Sequence, residues 1–100
     1  MIDWSRIAGF EWDEGNLGKN SSKHGVIPAE AEQLFANEPL IVTPDLAHSG
    51  GEERFQALGK TNTGRLLFAA FTLRQEGARV RVISVRDMHI RERRRYGQET

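Results

Sequence analysis

The sequence predicts an α+β fold: an N-terminal short strand and two helices, packed on an antiparallel β-sheet meander, with a C-terminal helix closing the chain. Three observations carry that prediction. Apolar residues recur at helical spacing around 31–35 and then switch to strand-like alternation in three later stretches. Compact glycine-containing turns separate those stretches. The 100 residues show no internal repeat, linker or low-complexity tract, so 1–100 is expected to form a single domain.

Each element has a local cause. Residues 7–12 read as a short strand. Asp13 is a good N-cap for a helix over 14–24, although Gly15 and Gly18 weaken it. Lys23 and His24 fall in its last turn, where cations complement the helix dipole, and Gly25 is placed as the residue that ends it. Pro28 suits the first position of a second helix, whose missing N–H costs nothing there. Ala31, Leu34 and Phe35 form its apolar stripe, and Asn37-Glu38-Pro39 ends it. Residues 40–43 look like a strand and 44–51 like a polar loop. Strands over 53–60, 65–73 and 79–86 follow, joined by Thr61-Asn62-Thr63-Gly64 and by a turn containing Gln75-Glu76-Gly77. Asp87 is expected to cap a last helix covering about 88–96.

If Lys60 and Arg65 face each other across a four-residue loop, alternation assigns the faces. Phe55, Ala57, Gly59, Leu66, Phe68 and Ala70 then form the apolar face under the helices. Arg54, Gln56, Leu58 and Lys60, with Arg65, Leu67, Ala69 and Phe71, form an opposite, partly apolar floor with cations at both ends. A two-residue Glu76-Gly77 turn puts Ser84 and Arg86 on that floor; a three-residue turn puts Arg79 and Arg81 there instead. The sequence leaves this phase open.

The formal net charge is zero, but residues 1–53 carry three basic against ten acidic side chains, a net of −7, and residues 54–100 carry eleven against four, a net of +7. A basic half points to an anionic partner such as nucleic acid or an acidic protein surface. The alternative is a domain whose acidic half neutralises its own basic sheet. There is no cysteine, hence no disulfide framework and no thiolate metal site. The three histidines lack metal-ligand spacing, so neither a metal nor another cofactor is expected. The first residues show no charged-then-apolar leader, and the longest apolar run, 66–71, is far short of a membrane span. These features predict a cytoplasmic protein.

An ordered set of short motifs resembles the BrnT family of toxins. It opens with Phe10-Glu11-Trp12-Asp13, Asn20 and Lys23-His24-Gly25-Val26, and continues through Ala31 to Phe35 with Pro39 beyond. Next come Glu53-Arg54-Phe55, Gly59 with Thr61, and Gly64-Arg65-Leu66-Leu67-Phe68. The close is Arg81-Val82-Ile83-Ser84-Val85-Arg86, then His89, Glu92, Arg93 and Tyr96. The matches cover about 8–97; the glycine- and serine-rich stretch at 14–24 and Val85 depart from the family's pattern. The resemblance implies a RelE-like fold, metal-independent RNA cleavage that inhibits translation and growth, and neutralisation by a BrnA-type antitoxin. That partner is a ribbon-helix-helix protein, through which alone the toxin would meet DNA. Two other readings stand beside it: a catalytically inactive toxin fold acting as antitoxin-bound co-repressor, and an RNA-binding module without cleavage.

RNA carries its own nucleophile, the 2′-OH beside the scissile phosphate. Cleavage without metal needs that hydroxyl aligned and deprotonated, and the charge on the phosphoryl oxygens stabilised. Arg86, with Lys60 or Arg65, is the expected charge stabiliser, because a guanidinium fork matches phosphate and stays protonated. On the last helix His89, Glu92, Arg93 and Tyr96 follow i, i+3, i+4, i+7 spacing. His89 is the natural proton-transfer group. Glu92 orients it or acts as base if its pKa is raised, and Tyr96 stacks on a base or donates a proton late. Arg54, Arg81, Arg93, Lys23 and His24 are expected along the RNA path. The competing structural roles are ion pairs from Arg86 to Asp87 or Glu92, helix-end capping by Lys23 and His24, and Tyr96 packing on the sheet.

Overall fold

A computed structural model of the chain describes residues 2–12, 25–48 and 50–99. A 3₁₀ turn, Trp4–Arg6, leads to β1, Gly9–Glu11; helix α1 spans Pro28–Ala36 and β2 spans Ile41–Pro44. After a second 3₁₀ turn, Leu46–His48, come β3 (Arg54–Lys60), β4 (Leu66–Arg74), β5 (Arg79–Asp87) and helix α2 (Ile90–Glu99). The order and type of the strands and of these two helices follow the sequence expectation, which does not anticipate the two 3₁₀ turns. The helix expected over 14–24, with Asp13, Lys23 and His24, lies outside the described residues.

The strands form a five-stranded sheet in the order β1-β5-β4-β3-β2. It is mixed, where the sequence reading expects an antiparallel one. Strands β2 to β5 are antiparallel neighbours, but β1 lies parallel to β5, with Gly9 opposite Arg79 and Glu11 opposite Arg81. A meander leaves the outer edge of its last strand unpaired; the short β1 covers it.

Helix α1 starts as its composition requires. Pro28 occupies its first turn, and Ile27 before it has no side-chain acceptor, so Glu30 Oε1 reaches back to accept from Ile27 N–H at 3.2 Å. At the other end the Asn37 side-chain amide donates to Lys60 O and to Asn62 Oδ1, both at 3.0 Å. Helix α1 is thereby tied to the β3–β4 hairpin.

That hairpin corrects the expected register. Thr61 N–H donates to Arg65 O at 2.9 Å, and Arg65 N–H to Thr61 Oγ1 at 3.1 Å. Gly64, at φ +88°, closes the turn by donating its N–H to Thr61 O at 3.0 Å. Thr61 and Arg65 therefore face each other, and Lys60 lies opposite Leu66 rather than Arg65. The single-residue offset flips every β4 side chain relative to expectation. Phe55, Ala57 and Gly59 share their face with Leu67, Ala69 and Phe71, while Gln56, Leu58 and Lys60 share theirs with Leu66, Phe68 and Ala70.

The phase of β5 is settled by a β-bulge. Ala70 pairs with Ser84 and Phe71 with Val82, so Ile83 is the extra residue. Arg79, Arg81, Ser84 and Arg86 consequently all lie on the Gln56–Phe68 face. The two expected alternatives coexist on one strand, because the bulge resets the alternation midway.

The two faces bury different things. On one, α1 contributes Ala31 and Leu34 to a core with Ala57, Leu67, Ala69, Phe71, Val80, Val82 and Val85. On the other, Met88 and Tyr96 pack on Leu58, with Ile41, Leu66 and Phe68 around them. The helices thus lie on opposite faces, and α2 covers only part of its own. Asp87 does not cap α2; it is the last residue of β5, and the helix begins at Ile90. Among the described residues no helix is long and apolar enough to cross a membrane.

Gly59 lets α1 sit close. A Cβ there would lie 3.0 Å from Leu34 Cγ and 3.1 Å from Leu34 O. Gly59→Ala is expected to destabilise the fold by about 1–3 kcal/mol through overpacking, read as a lower urea midpoint at constant slope. An unchanged midpoint would contradict this close packing.

Candidate functional site

The part of the cationic face that α2 leaves open forms a groove of about 150 Å³. Ile41, Thr43, Gln56, Leu58 and Phe68 form its floor, and Arg91, Glu92 and Arg95 of α2 form its wall. Larger depressions of about 480 and 540 Å³ lie around Trp4, but their linings are mostly apolar and the only charged residues among them are Glu53 and Glu38. Size therefore does not locate the chemistry; the smaller groove carries the cations.

Arg86 anchors the groove's end. Its guanidinium carbon sits 4.0 Å above the centroid of the Phe68 ring. Nη1 and Nη2 donate to Glu92 Oε1 and Oε2 at 2.7 and 3.0 Å, and Nη1 also donates to Asp87 O at 3.1 Å. A guanidinium has five N–H donors. Three are used here, and Nε–H with the second Nη2–H have no partner among the described residues. Those two donors form the side-on fork that fits two oxygens of a phosphate.

Glu92 serves two partners at once. Besides Arg86, its Oε1 accepts from His89 N–H at 2.8 Å, and His89 O accepts from Arg93 N–H, so His89 is the cap of α2 and Glu92 its reciprocal third residue. Burial pushes the Glu92 carboxyl up, but the hydrogen bonds from Arg86 and His89 N–H, with the charges of both, outweigh it and hold the group below its ordinary value. Glu92 is thus an ionised, positioned carboxylate, and the raised pKa that a general base requires is absent. The His89 side chain is exposed at the same junction.

Arg65 is placed elsewhere than the sequence reading expects. Nε and Nη2 donate to Asp87 Oδ1 and Oδ2 at 2.8 and 3.0 Å, and Nη1 donates to Gly25 O at 2.9 Å and to Glu30 at 3.3–3.4 Å. Hydrogen bonding to Asp87 raises its pKa against the cost of burial, with Glu30 adding to the effect. The residue clasps the hairpin, α1 and the end of β5, and has no fork left for a phosphate. The reason is the hairpin offset, which takes Arg65 out of the paired β4 register.

Tyr96 is also corrected. It is 5% exposed, its ring packs with Leu58 and Met88, and its hydroxyl donates to Pro39 O at 2.6 Å. Burial pushes its pKa up. Stacking on an RNA base is closed to it. Lys60 shares the Arg86 face by register, half-buried at the end of β3. Arg54 and Arg81 lie toward the opposite end of that face, and Arg81 stands 3.8 Å from Glu52. Arg93 is exposed on α2, and Lys23 and His24 lie outside the described residues. The structure therefore brings Arg86, His89 and Glu92 together and separates Arg65 and Tyr96 from them. Thr43, Gln56 and Arg91 are the groove residues that sequence reasoning passes over as site groups, whereas Arg95 belongs to the Arg93-Arg94-Arg95 run that the sequence offers as a track for the RNA backbone. The i, i+4 spacing of Arg91 and Arg95 is a usable signal only once His89 is known to be the cap. Among the described residues no three His, Asp or Glu side chains converge as a metal cluster.

Residues 12–92 match the family model described as the ribonuclease toxin BrnT of type II toxin–antitoxin systems. The fold is similar to the 1.1 Å crystal structure of the Brucella abortus ribonuclease toxin BrnT, with a TM-score of 0.61 and 24% identity over 81% of this chain and 96% of that one. No curated protein matches the sequence.

Two consequences are measurable. Tyr96→Phe leaves Pro39 O without its donor and is expected to cost about 1 kcal/mol of stability, read by urea denaturation; an unchanged midpoint would show that the bond contributes nothing. For Glu92 the folded pKa is the lower one, so its stabilisation is present above the ordinary value of 4.5 and is lost as pH falls through the lowered value. Glu92→Gln is expected to lose about 1–2 kcal/mol at neutral pH. The deficit should shrink as pH falls below the ordinary value of 4.5; a deficit constant with pH would contradict the ionised capping role.

Proposed function

The chain belongs to the BrnT family of ribonuclease toxins of type II toxin–antitoxin systems, and from that premise we propose that its active site is the junction where β5 meets α2. The observation that carries this reading is the convergence there of Arg86, with an open fork of two donors, and the exposed cap residue His89, both fixed by the Glu92 carboxylate.

The reaction is a transesterification. The 2′-OH attacks the adjacent phosphorus, the P–O5′ bond breaks, and a 2′,3′-cyclic phosphate and a 5′-hydroxyl form. The charge on the phosphoryl oxygens is met by the Nε and Nη2 fork of Arg86, as electrostatic stabilisation requires. His89 moves a proton at the attacking or leaving oxygen. Glu92 is a positioning residue that aims Arg86 and holds the helix cap. Lys60, on the same face, adds positive charge. Arg54, Arg81 and Arg93 lie along the path of the RNA backbone, whose recognition weakens with salt; Lys23 and His24, outside the described residues, are further proposed RNA contacts. The chemistry uses no metal. The chain acts as a single RelE-like domain in the cytoplasm, cuts RNA to block translation and growth, and is neutralised by a BrnA-type ribbon-helix-helix antitoxin.

Purified chain incubated with RNA in EDTA tests this. Arg86→Ala is expected to lower kcat by about 10²–10³-fold with little change in KM. His89→Ala is expected to lower it by about 10²-fold or more, again with little change in KM. Full activity in either variant would overturn the assignment. A wild-type chain that binds antitoxin and RNA yet leaves RNA intact would be a co-repressor or a binding module instead.

A further inference from the structure

The groove beside Arg86 is organised in rows. Ile41, Leu58, Phe68 and Arg86 are successive cross-strand partners, and Thr43, Gln56, Ala70 and Ser84 form the adjacent row two residues along. Three apolar side chains and a guanidinium thus lie beside a row that carries an amide and two hydroxyls. Directly opposed residues place their Cβ atoms about 4.5–5.5 Å apart, so the Thr43 hydroxyl and Gln56 amide are neighbours. Neither side chain has a hydrogen-bond partner among the described residues, and neither is a buried unsatisfied group. Arg91 and Arg95 overhang the groove from α2.

This set matches a nucleobase better than a phosphate chain alone. A base needs an apolar surface for its π-face and a donor–acceptor pair for its edge. Gln56 offers two donors and an acceptor, and Thr43 one of each. The flanking phosphate needs a cation, which the wall supplies. From Arg86 the Gln56 position is two strands across, about 10 Å, and one two-residue step along, about 7 Å. Both side chains project from the same face of the sheet, so a nucleotide laid across that face meets the two positions together.

We propose that the groove between α2 and the sheet is a base-recognition subsite, in which Gln56 and Thr43 read the edge of one ribonucleotide base adjacent to the scissile phosphate. Ile41 and the part of Phe68 that Arg86 leaves uncovered, with the buried Leu58 behind them, provide the apolar surface beneath that base. The inference deepens the ribonuclease reading and rests on it for the position of the phosphate. It makes Gln56 a specificity-determining residue and leaves the chemistry to Arg86 and His89.

Two measurements keep the subsite and the ribonuclease reading distinguishable. In the first, isotope-labelled full chain is titrated by NMR with each of the four ribonucleoside monophosphates and with ribose 5-phosphate. The Gln56 side-chain amide and Phe68 ring signals are expected to shift with at least one nucleotide and not with ribose 5-phosphate. Gln56→Leu should weaken that nucleotide's binding by about three- to ten-fold, and Thr43→Val serves as the independent variant if Gln56→Leu fails to fold. In the second, the 5′ and 3′ ends of cleaved RNA are sequenced. Wild type should show a base bias at one fixed position beside the cut, and Gln56→Leu should lose that bias while still cutting. Gln56 signals unmoved by every nucleotide, or an identical bias in the variant, would overturn the subsite. Absence of cleavage with the nucleotide-dependent shifts intact would overturn the ribonuclease reading alone.

Discussion

The arrangement depends on one inserted residue. Val80, Val82 and Val85 are all fully buried in the α1-side core, which strict alternation along β5 does not allow. The bulge at Ile83 reconciles them, so the strand offers its apolar side chains to one face before and after the break. The polar residues between them are carried to the other face as a set. Without the bulge, a strand that kept Val80 and Val82 buried would turn Arg86 into an apolar core, where an unpaired charge is very costly. With it, Arg86 emerges beside α2, above Phe68, at the point where the strand ends and the helix cap begins.

Charge is then sorted by pairing. The acidic N-terminal half does neutralise part of the basic half: Glu30 meets Arg65, Glu52 meets Arg74 and Arg81, and Glu11 meets Arg79. These contacts are partly exposed, and such pairs contribute little individually. Helix α2, by contrast, carries four arginines against Glu92 and Glu99, so its own charge is net positive. There Glu92 is the carboxylate of the Arg86 pair, and it leaves a two-donor edge of Arg86 open. Self-neutralisation is thus visible in these pairs, while an anionic partner belongs to the proposed role of the β5–α2 junction.

Much of this was legible in the sequence. The Pro28 start and Asn37 end of α1, the three long strands, and the proximity of Arg86, His89 and Glu92 follow from propensity, turn residues and helical spacing. The register failures share one cause: quantities that change by one residue are not encoded in composition. Thr61 pairs with Arg65 through a threonine hydroxyl and a left-handed glycine, and this alone moved Arg65 out of the sheet and into a carboxylate clasp. The bulge left no local signature beyond the spacing of three valines. Tyr96 looked reactive because its stripe is polar, but the ring faces the Leu58–Met88 cluster and its hydroxyl is satisfied by a backbone carbonyl 57 positions away. Gln56 and Thr43 were invisible as a pair, since only strand register sets them opposite each other.

The central claim is that the open fork of Arg86 holds the non-bridging oxygens of the scissile phosphate. A single-turnover comparison of normal RNA with RNA carrying one stereodefined phosphorothioate at the cut site, in EDTA, tests it most directly. The account predicts that sulfur in one of the two non-bridging positions slows wild type markedly, and that Arg86→Ala cuts both substrates at the same, low rate. A sulfur penalty that persists undiminished in Arg86→Ala, or one that appears only with metal present and is relieved by a thiophilic cation, would contradict it.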